Sequence, residues 1–175
     1  MPDIRFDRFY RYDELTTLLH NYAEQYPQLV SLHSIGKSHE GRDIWLLEVT
    51  NTATGALADK PAYWVDGNIH SVEVSASAAV LYFLNTLVTQ HGKDADITRC
   101  IDTRGFYLVP RINPDGAEWA LADQPRYVRS STRSWPFEEA PVDGLTVEDV
   151  MKRGDTVLSV SGMRRLWRPG VNRTA

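Results

Sequence analysis

The chain has 175 residues, 42% of them hydrophobic, with five Trp, eight Tyr and a formal net charge of −4. That is enough length for one ordinary core, and the aromatic content argues against a disordered chain. The acidic balance leaves no general electrostatic footprint for nucleic acid, and no apolar run reaches membrane-spanning length.

The first residues, 1–7, lack a basic stretch followed by an apolar core, so no secretory signal is expected in them and a cytoplasmic compartment is the expectation. One cysteine, Cys100, excludes an intramolecular disulfide and reads as a packed thiol. Leu15, Leu18, Leu19, Tyr22 and Tyr26 recur at helical spacing, which predicts a helix from Tyr12 to Tyr26 stopped by Pro27, with His20 outside the apolar stripe. Residues 29–36 alternate apolar and polar, and residues 43–50 are β-prone. With Ser38-His39-Glu40-Gly41-Arg42 between them they read as a hairpin that leaves His33 and His39 exposed.

A loop over 51–60 precedes the β-prone run Tyr63-Trp64-Val65, which Asp66-Gly67 breaks. Residues 74–90 carry Val74, Ala78, Leu81, Leu84, Leu87 and Val88 on one helical face, widened by Ala76, Ala79, Val80 and Phe83. Such a helix is mostly buried against a sheet, and His91 with Gly92 closes it. Residues 104–112 form another strand, cut short by Pro110, and Asn113-Pro114-Asp115-Gly116 reads as a turn. The order helix, strand, strand, strand, helix, strand indicates an α/β layer fold rather than a bundle or a sandwich. Beyond Gly116 the periodicity fades into a polar loop containing Arg126, Arg129 and Arg133. From Gly144 onward the balance turns to +3, leaving −7 for residues 1–143. Thr156–Val160 is a short strand candidate in an otherwise poorly packed end.

Chemistry concentrates at His70 and Glu73. Three residues apart at a helix start, an imidazole nitrogen and a carboxylate oxygen project from one side of a turn and can converge on one cation, and zinc accepts both donor types. On spacing alone the solvated helix-start pair is the commoner outcome, and the strand that Asp66-Gly67 breaks and the helix pattern after Glu73 raise the metal reading. A catalytic zinc usually takes three protein ligands, so a third donor has to come from elsewhere.

Three stretches in order, Ala62-Tyr63-Trp64-Val65-Asp66-Gly67-Asn68-Ile69-His70-Ser71-Val72-Glu73, Val109-Pro110-Arg111-Ile112-Asn113-Pro114-Asp115-Gly116 and Arg126-Tyr127-Val128-Arg129-Ser130, resemble the zinc metallocarboxypeptidases related to carboxypeptidase A. The hairpin segments Ile35-Gly36-Lys37-Ser38 and Gly41-Arg42-Asp43-Ile44 fit the same likeness, which covers roughly residues 8 to 143. The resemblance implies a mixed β-sheet flanked by helices, apparently incomplete. Residues 1–143 would be the amino-terminal part of a catalytic domain and 144–175 a divergent tail. It implies Zn2+ held by His70 and Glu73, a peptide substrate, and Arg129 polarising the scissile carbonyl and stabilising the oxyanion, with Arg126 and Arg133 as alternative counterparts.

The chain also departs from that pattern. Val72 stands where many members carry an arginine, and no histidine follows His91, so the third zinc ligand has no match. The downstream general-base glutamate, the tyrosine near the substrate carboxylate and the Asn-Arg clamp have no clear match either; Asn172-Arg173 has different flanks. Three functions therefore stand: a shortened metallocarboxypeptidase-type protein, a catalytically silent remnant or peptide-binding fragment, and a zinc-dependent amino-acid deacylase. Half a sheet would leave an unpaired edge and an uncovered apolar face, so self-association is expected.

Overall fold

The apolar stripe of the first segment closes into helix α1 (Tyr12–Gln25), which buries Leu15, Leu18, Leu19 and Tyr22. The computed structural model describes residues 3–133 together with the strands at 156–160 and 163–167. Alternation then produces the hairpin of β1 (Val30–Lys37) and β2 (Asp43–Val49), paired antiparallel with Val30 opposite Val49 and Leu32 opposite Leu47. The loop over 51–60 contains two single 3-10 turns, Thr52–Thr54 and Leu57–Asp59.

Strand β3 (Ala62–Asp66) runs into helix α2 (Val74–Gln90), then helix α3 (Ala95–Thr103), and returns through β4 (Gly105–Val109). Because β3 and β4 are parallel, their connection has to cross the sheet, and α2 with α3 supplies that crossover. The sheet order is β1-β2-β4-β3, with β4 antiparallel to β2 and parallel to β3. Val49 and Leu47 of β2, Phe106 and Leu108 of β4, the α1 stripe, and Val80, Leu81, Leu84, Leu87 and Val88 of α2 form one buried cluster. Cys100 packs against it, as does Ile97.

Two helices differ from expectation. Beyond Ala95, helix α3 carries only Ile97, Cys100 and Ile101 as apolar positions, too short a pattern to register as periodic; Asp94 caps it by accepting from the amides of Asp96 and Ile97. The predicted turn at Asn113 is the start of a helix, α4 (Pro114–Ala120). Asn113 accepts from the Gly116 amide and Pro114 supplies a pre-set first helical residue. Asn-Pro serves a turn or a helix start equally well, and here long-range contact selects the helix. Glu118 of α4 accepts from the Tyr12 amide at 2.8 Å and pairs with Arg11 at 2.8 Å.

At α2's end, His91 occupies the terminal position and Gly92 follows with φ of +77°, as a glycine cap requires. The imidazole does more than cap, since its Nε2 lies 3.0 Å from Asp102 of α3 and joins the two helices. The strand expected at Thr156–Val160 is present as β5, antiparallel to β6 (Met163–Trp167) in a separate two-stranded sheet. The remainder of the predicted poorly packed end, with Asn172-Arg173, lies outside the described residues.

Candidate metal and carbonyl-binding site

The site forms where β3 ends and the chain turns into α2. Gly67 is required there by space: a Cβ on it would come within 2.8 Å of the Ala76 carbonyl oxygen and 3.2 Å of that of Pro110. The turn is stitched to the β4–α4 connection. Gly67 donates to Val109, Ile112 donates to Gly67 at 3.0 Å, and Asn113 donates to Asn68 at 3.2 Å.

His70 and Glu73 are brought together. His70 Nδ1 lies 2.9 Å from Glu73 Oε2 and 3.0 Å from Oε1, and the Glu73 amide donates to the His70 carbonyl at 3.2 Å. The side chains are 32% and 50% exposed, so an ion can reach them. A tetrahedral ion bonded at about 2.0–2.2 Å holds its donors roughly 3.4 Å apart, so this pair fits one zinc after a small side-chain opening. No group of three or more His, Cys, Asp or Glu side chains is arranged to hold a metal among the described residues.

Arg129 is tied to the same turn through its main chain. The Ser71 amide donates to the Arg129 carbonyl at 3.1 Å, and the Ser71 hydroxyl donates to the Val128 carbonyl. Asn113 Nδ2 donates to the carbonyls of Ile69, at 3.3 Å, and Ser130. The Arg129 guanidinium makes no hydrogen bond or ion pair among the described residues. By contrast Arg126 is stacked on Trp119, its Cζ 3.6 Å from the ring centroid, which commits that guanidinium to a cation–π contact. Val72 is 46% exposed.

A set of buried polar residues behind the turn went unnoticed in the sequence. Asp115, 3% exposed, accepts from Ser38 Oγ at 2.7 Å, the Glu40 amide at 2.9 Å and Arg42 Nη1 at 2.7 Å. Burial pushes its carboxyl up, and the Ser38 hydroxyl, the Glu40 amide and Arg42 together outweigh that and hold it below the usual carboxylate range. The tip of the β1–β2 hairpin is thereby locked onto α4. An acidic residue inside Asn-Pro-Asp-Gly opposite Ser and Arg in a hairpin tip was the available signal, but separations of 77 and 73 residues hid it. Gly116 lets α4 approach the turn, since a Cβ there would meet Ser71 Cβ at 2.6 Å.

Comparison with known proteins finds likenesses in both sequence and fold. A sequence model described as zinc carboxypeptidase matches residues 15–145. Carboxypeptidase B of Astacus astacus is 36% identical over 128 residues, which is 72% of this chain and 40% of that protein. Carboxypeptidase M of Mus musculus is 32% identical over 111 residues, 63% of this chain and 25% of that protein. Among solved structures, thrombin activatable fibrinolysis inhibitor superposes with a TM-score of 0.66 at 25% identity, covering 78% of this chain and 33% of that one. The carboxypeptidase A of Helicoverpa armigera does so at 0.60 and 27%, covering 71% of this chain and 30% of that one. The chain spans well under half the length of the relatives it matches.

Proposed function

The chain belongs to the zinc carboxypeptidase family, and from that premise we propose that the protein acts in removing carboxy-terminal residues from peptides, this chain contributing His70, Glu73 and Arg129 to the site. The observation that carries the reading is the convergence of the His70 and Glu73 heads within 3.0 Å on an exposed turn to which the Arg129 main chain is hydrogen-bonded. His70 offers a ring nitrogen and Glu73 a carboxylate. A zinc ion bound there supplies Lewis acidity and brings the pKa of a water toward neutrality. Arg129, with its guanidinium uncommitted, donates to the carbonyl oxygen of the scissile bond and stabilises the charge that grows on it. Arg126 is a poorer donor because leaving Trp119 sacrifices its stacking.

In a form of the protein extended to the length of its relatives, Arg129→Ala lowers turnover on blocked dipeptides about a hundredfold while zinc content stays at one per chain. Turnover equal to the parent's would remove Arg129 from the mechanism. Assaying N-acyl amino acids beside the dipeptides separates peptidase from deacylase, and faster turnover of the acyl substrates would favour the latter.

A second reading concerns the 175-residue chain itself. No histidine follows His91, and a site with two protein ligands holds zinc weakly and assembles no general base. On this reading the isolated chain is catalytically silent. Measured with zinc stoichiometry, a tight one-to-one complex that turns over peptide would sink it. We further propose that the isolated chain self-associates through the outer edge of β3, whose Tyr63 and Trp64 are 55% and 54% exposed.

A further inference from the structure

Behind the exposed pair lies a buried polar chain with no part in the chemistry so far described. Asn68 is 2% exposed and stands at φ +58°, a left-handed conformation that costs an L residue energy unless the surroundings hold it. Its side chain reaches forward: Nδ2 donates to the His70 carbonyl at 2.8 Å and to the Ser71 carbonyl at 3.1 Å. Those two carbonyls only accept, so the amide nitrogen has to face them and Oδ1 has to face backward. There it accepts from Ser77 Oγ at 3.4 Å.

Ser77, 3% exposed on α2, has one proton to give and gives it to Asn68. Its oxygen in turn accepts from Arg111 Nε at 3.3 Å. Arg111 is 4% exposed and anchored by Nη2 donating to the Tyr10 carbonyl at 2.9 Å. A buried guanidinium is expensive: desolvation lowers its pKa to about 10, and its one ion-pair partner among the described residues, Glu118 at 3.9 Å, is already paired with Arg11. A hydrophobic residue of similar size would fill that space more cheaply. What the arginine adds is direction, because an Nε that can only donate forces the Ser77 hydroxyl to point at Asn68.

We propose that Arg111, Ser77 and Asn68 form a buried relay that positions His70, with Asn68 as the positioning residue in contact with the ligand turn. The His70 carbonyl takes hydrogen bonds from both Asn68 Nδ2 and the Glu73 amide, so the relay sets the backbone from which both side chains project. The inference rests on His70 and Glu73 being the metal ligands, as proposed above, for its functional meaning, and on the hydrogen-bond geometry for its existence.

The test uses the 175-residue chain. Asn68→Gly keeps the left-handed backbone and removes the side chain; Asn68→Asp keeps the shape and turns an acceptor toward two carbonyls. Both accelerate hydrogen exchange at the Ser71 and Glu73 amides by about tenfold or more, while the Leu47 and Leu108 amides in the core keep the parent's rate. Ser77→Ala produces the same pattern at smaller amplitude. Tyr22→Phe, which removes a remote buried hydroxyl bonded to Asn85, leaves the turn's exchange as it was. Zinc affinity per folded chain falls about 10- to 100-fold in the Asn68 variants. Unchanged exchange at Ser71 and Glu73 in Asn68→Asp overturns the relay, and so does acceleration shared equally with Leu108, the mark of a merely structural role. A weak zinc affinity of the parent that His70→Ala with Glu73→Ala leaves unchanged overturns the metal reading instead, and the exchange pattern then decides the relay by itself.

Discussion

The sheet has two edges, and they are finished differently. At the outer edge of β1, His33, Ser34, Gly36 and Lys37 are exposed, the register shifts between Ser34 and Lys37, and Lys37 pairs with Asp43 at 2.7 Å. A charge and an irregularity on an edge strand discourage a second chain from pairing with it. The edge at β3 has neither device along Ala62–Val65. It presents Tyr63 and Trp64 over half exposed, with Trp64 Nε1 held by Asp66 at 2.6 Å, and it pairs in parallel with β4, the kind of strand that folds usually cover on both faces. Strand β3 has the composition of an interior strand and the position of a terminal one. The difference shows which edge of the described sheet is guarded, and the site sits at the end of the unguarded one.

The largest effect expected is on β4, which pairs with the β3 edge on one side and on the other with β2, the strand that carries the β1 edge. Leu108 stands opposite Leu47 on one side and Val65 on the other and is fully buried, so Leu108→Ala should destabilise the chain by about 2–5 kcal/mol and loosen both edges together. Urea denaturation checks this, and exchange that quickened at one edge alone would break the symmetry assumed for β4. Next, replacing Tyr63 and Trp64 together by Lys should abolish most of the proposed self-association, worth about 2–3 kcal/mol in apparent association free energy. Sedimentation across concentrations reads it, and a parent chain that sediments as a monomer at every concentration would refute the open-edge account.

A third change acts on the hairpin tip. Asp115→Asn should cost about 2 kcal/mol, because Arg42 keeps Glu40 at 2.7 Å but loses its buried partner. The parent should also be the more acid-sensitive of the two. The Asp115 carboxyl is held below its unfolded value, so its contribution is complete above that value and disappears as pH falls through the folded one, below about pH 4. Stability measured between pH 5 and 3 should therefore fall more steeply in the parent than in Asp115→Asn, and equal slopes would remove Asp115 from the acid response. The smallest effect is the control. Ser34→Lys, on the edge already protected, should change neither association nor stability by more than about 0.5 kcal/mol.

The elements legible in advance were those whose evidence is periodic and local. α1 and α2 showed a stripe over many residues, residues 29–36 alternated ahead of the β-prone run 43–50, and β4 ended where Pro110 said it would. α3 escaped because three apolar residues do not make a stripe. α4 was taken for a turn because Asn113 and Pro114 begin both structures, and only Glu118 reaching Arg11 and Tyr12 distinguishes them. At the site, His70 and Glu73 were visible because a separation of three residues puts both heads on one side of a turn, and the break at Asp66-Gly67 with a helix pattern after Glu73 marked that turn. Asn68, Ser77, Arg111 and Asp115 were not, because a polar residue signals a buried role only through partners tens of residues away.

The sequence by itself determined the element order of a layer fold and the pair at the end of β3, properties of short segments, and the likeness to zinc carboxypeptidases, which three motifs carry by resemblance. Tertiary structure decided which arginine near Tyr127 is uncommitted, why Gly67 and Gly116 have no side chains, and how a buried arginine reaches His70 through Ser77 and Asn68. These depend on distances between segments remote in the chain, which packing sets and spacing along the chain does not.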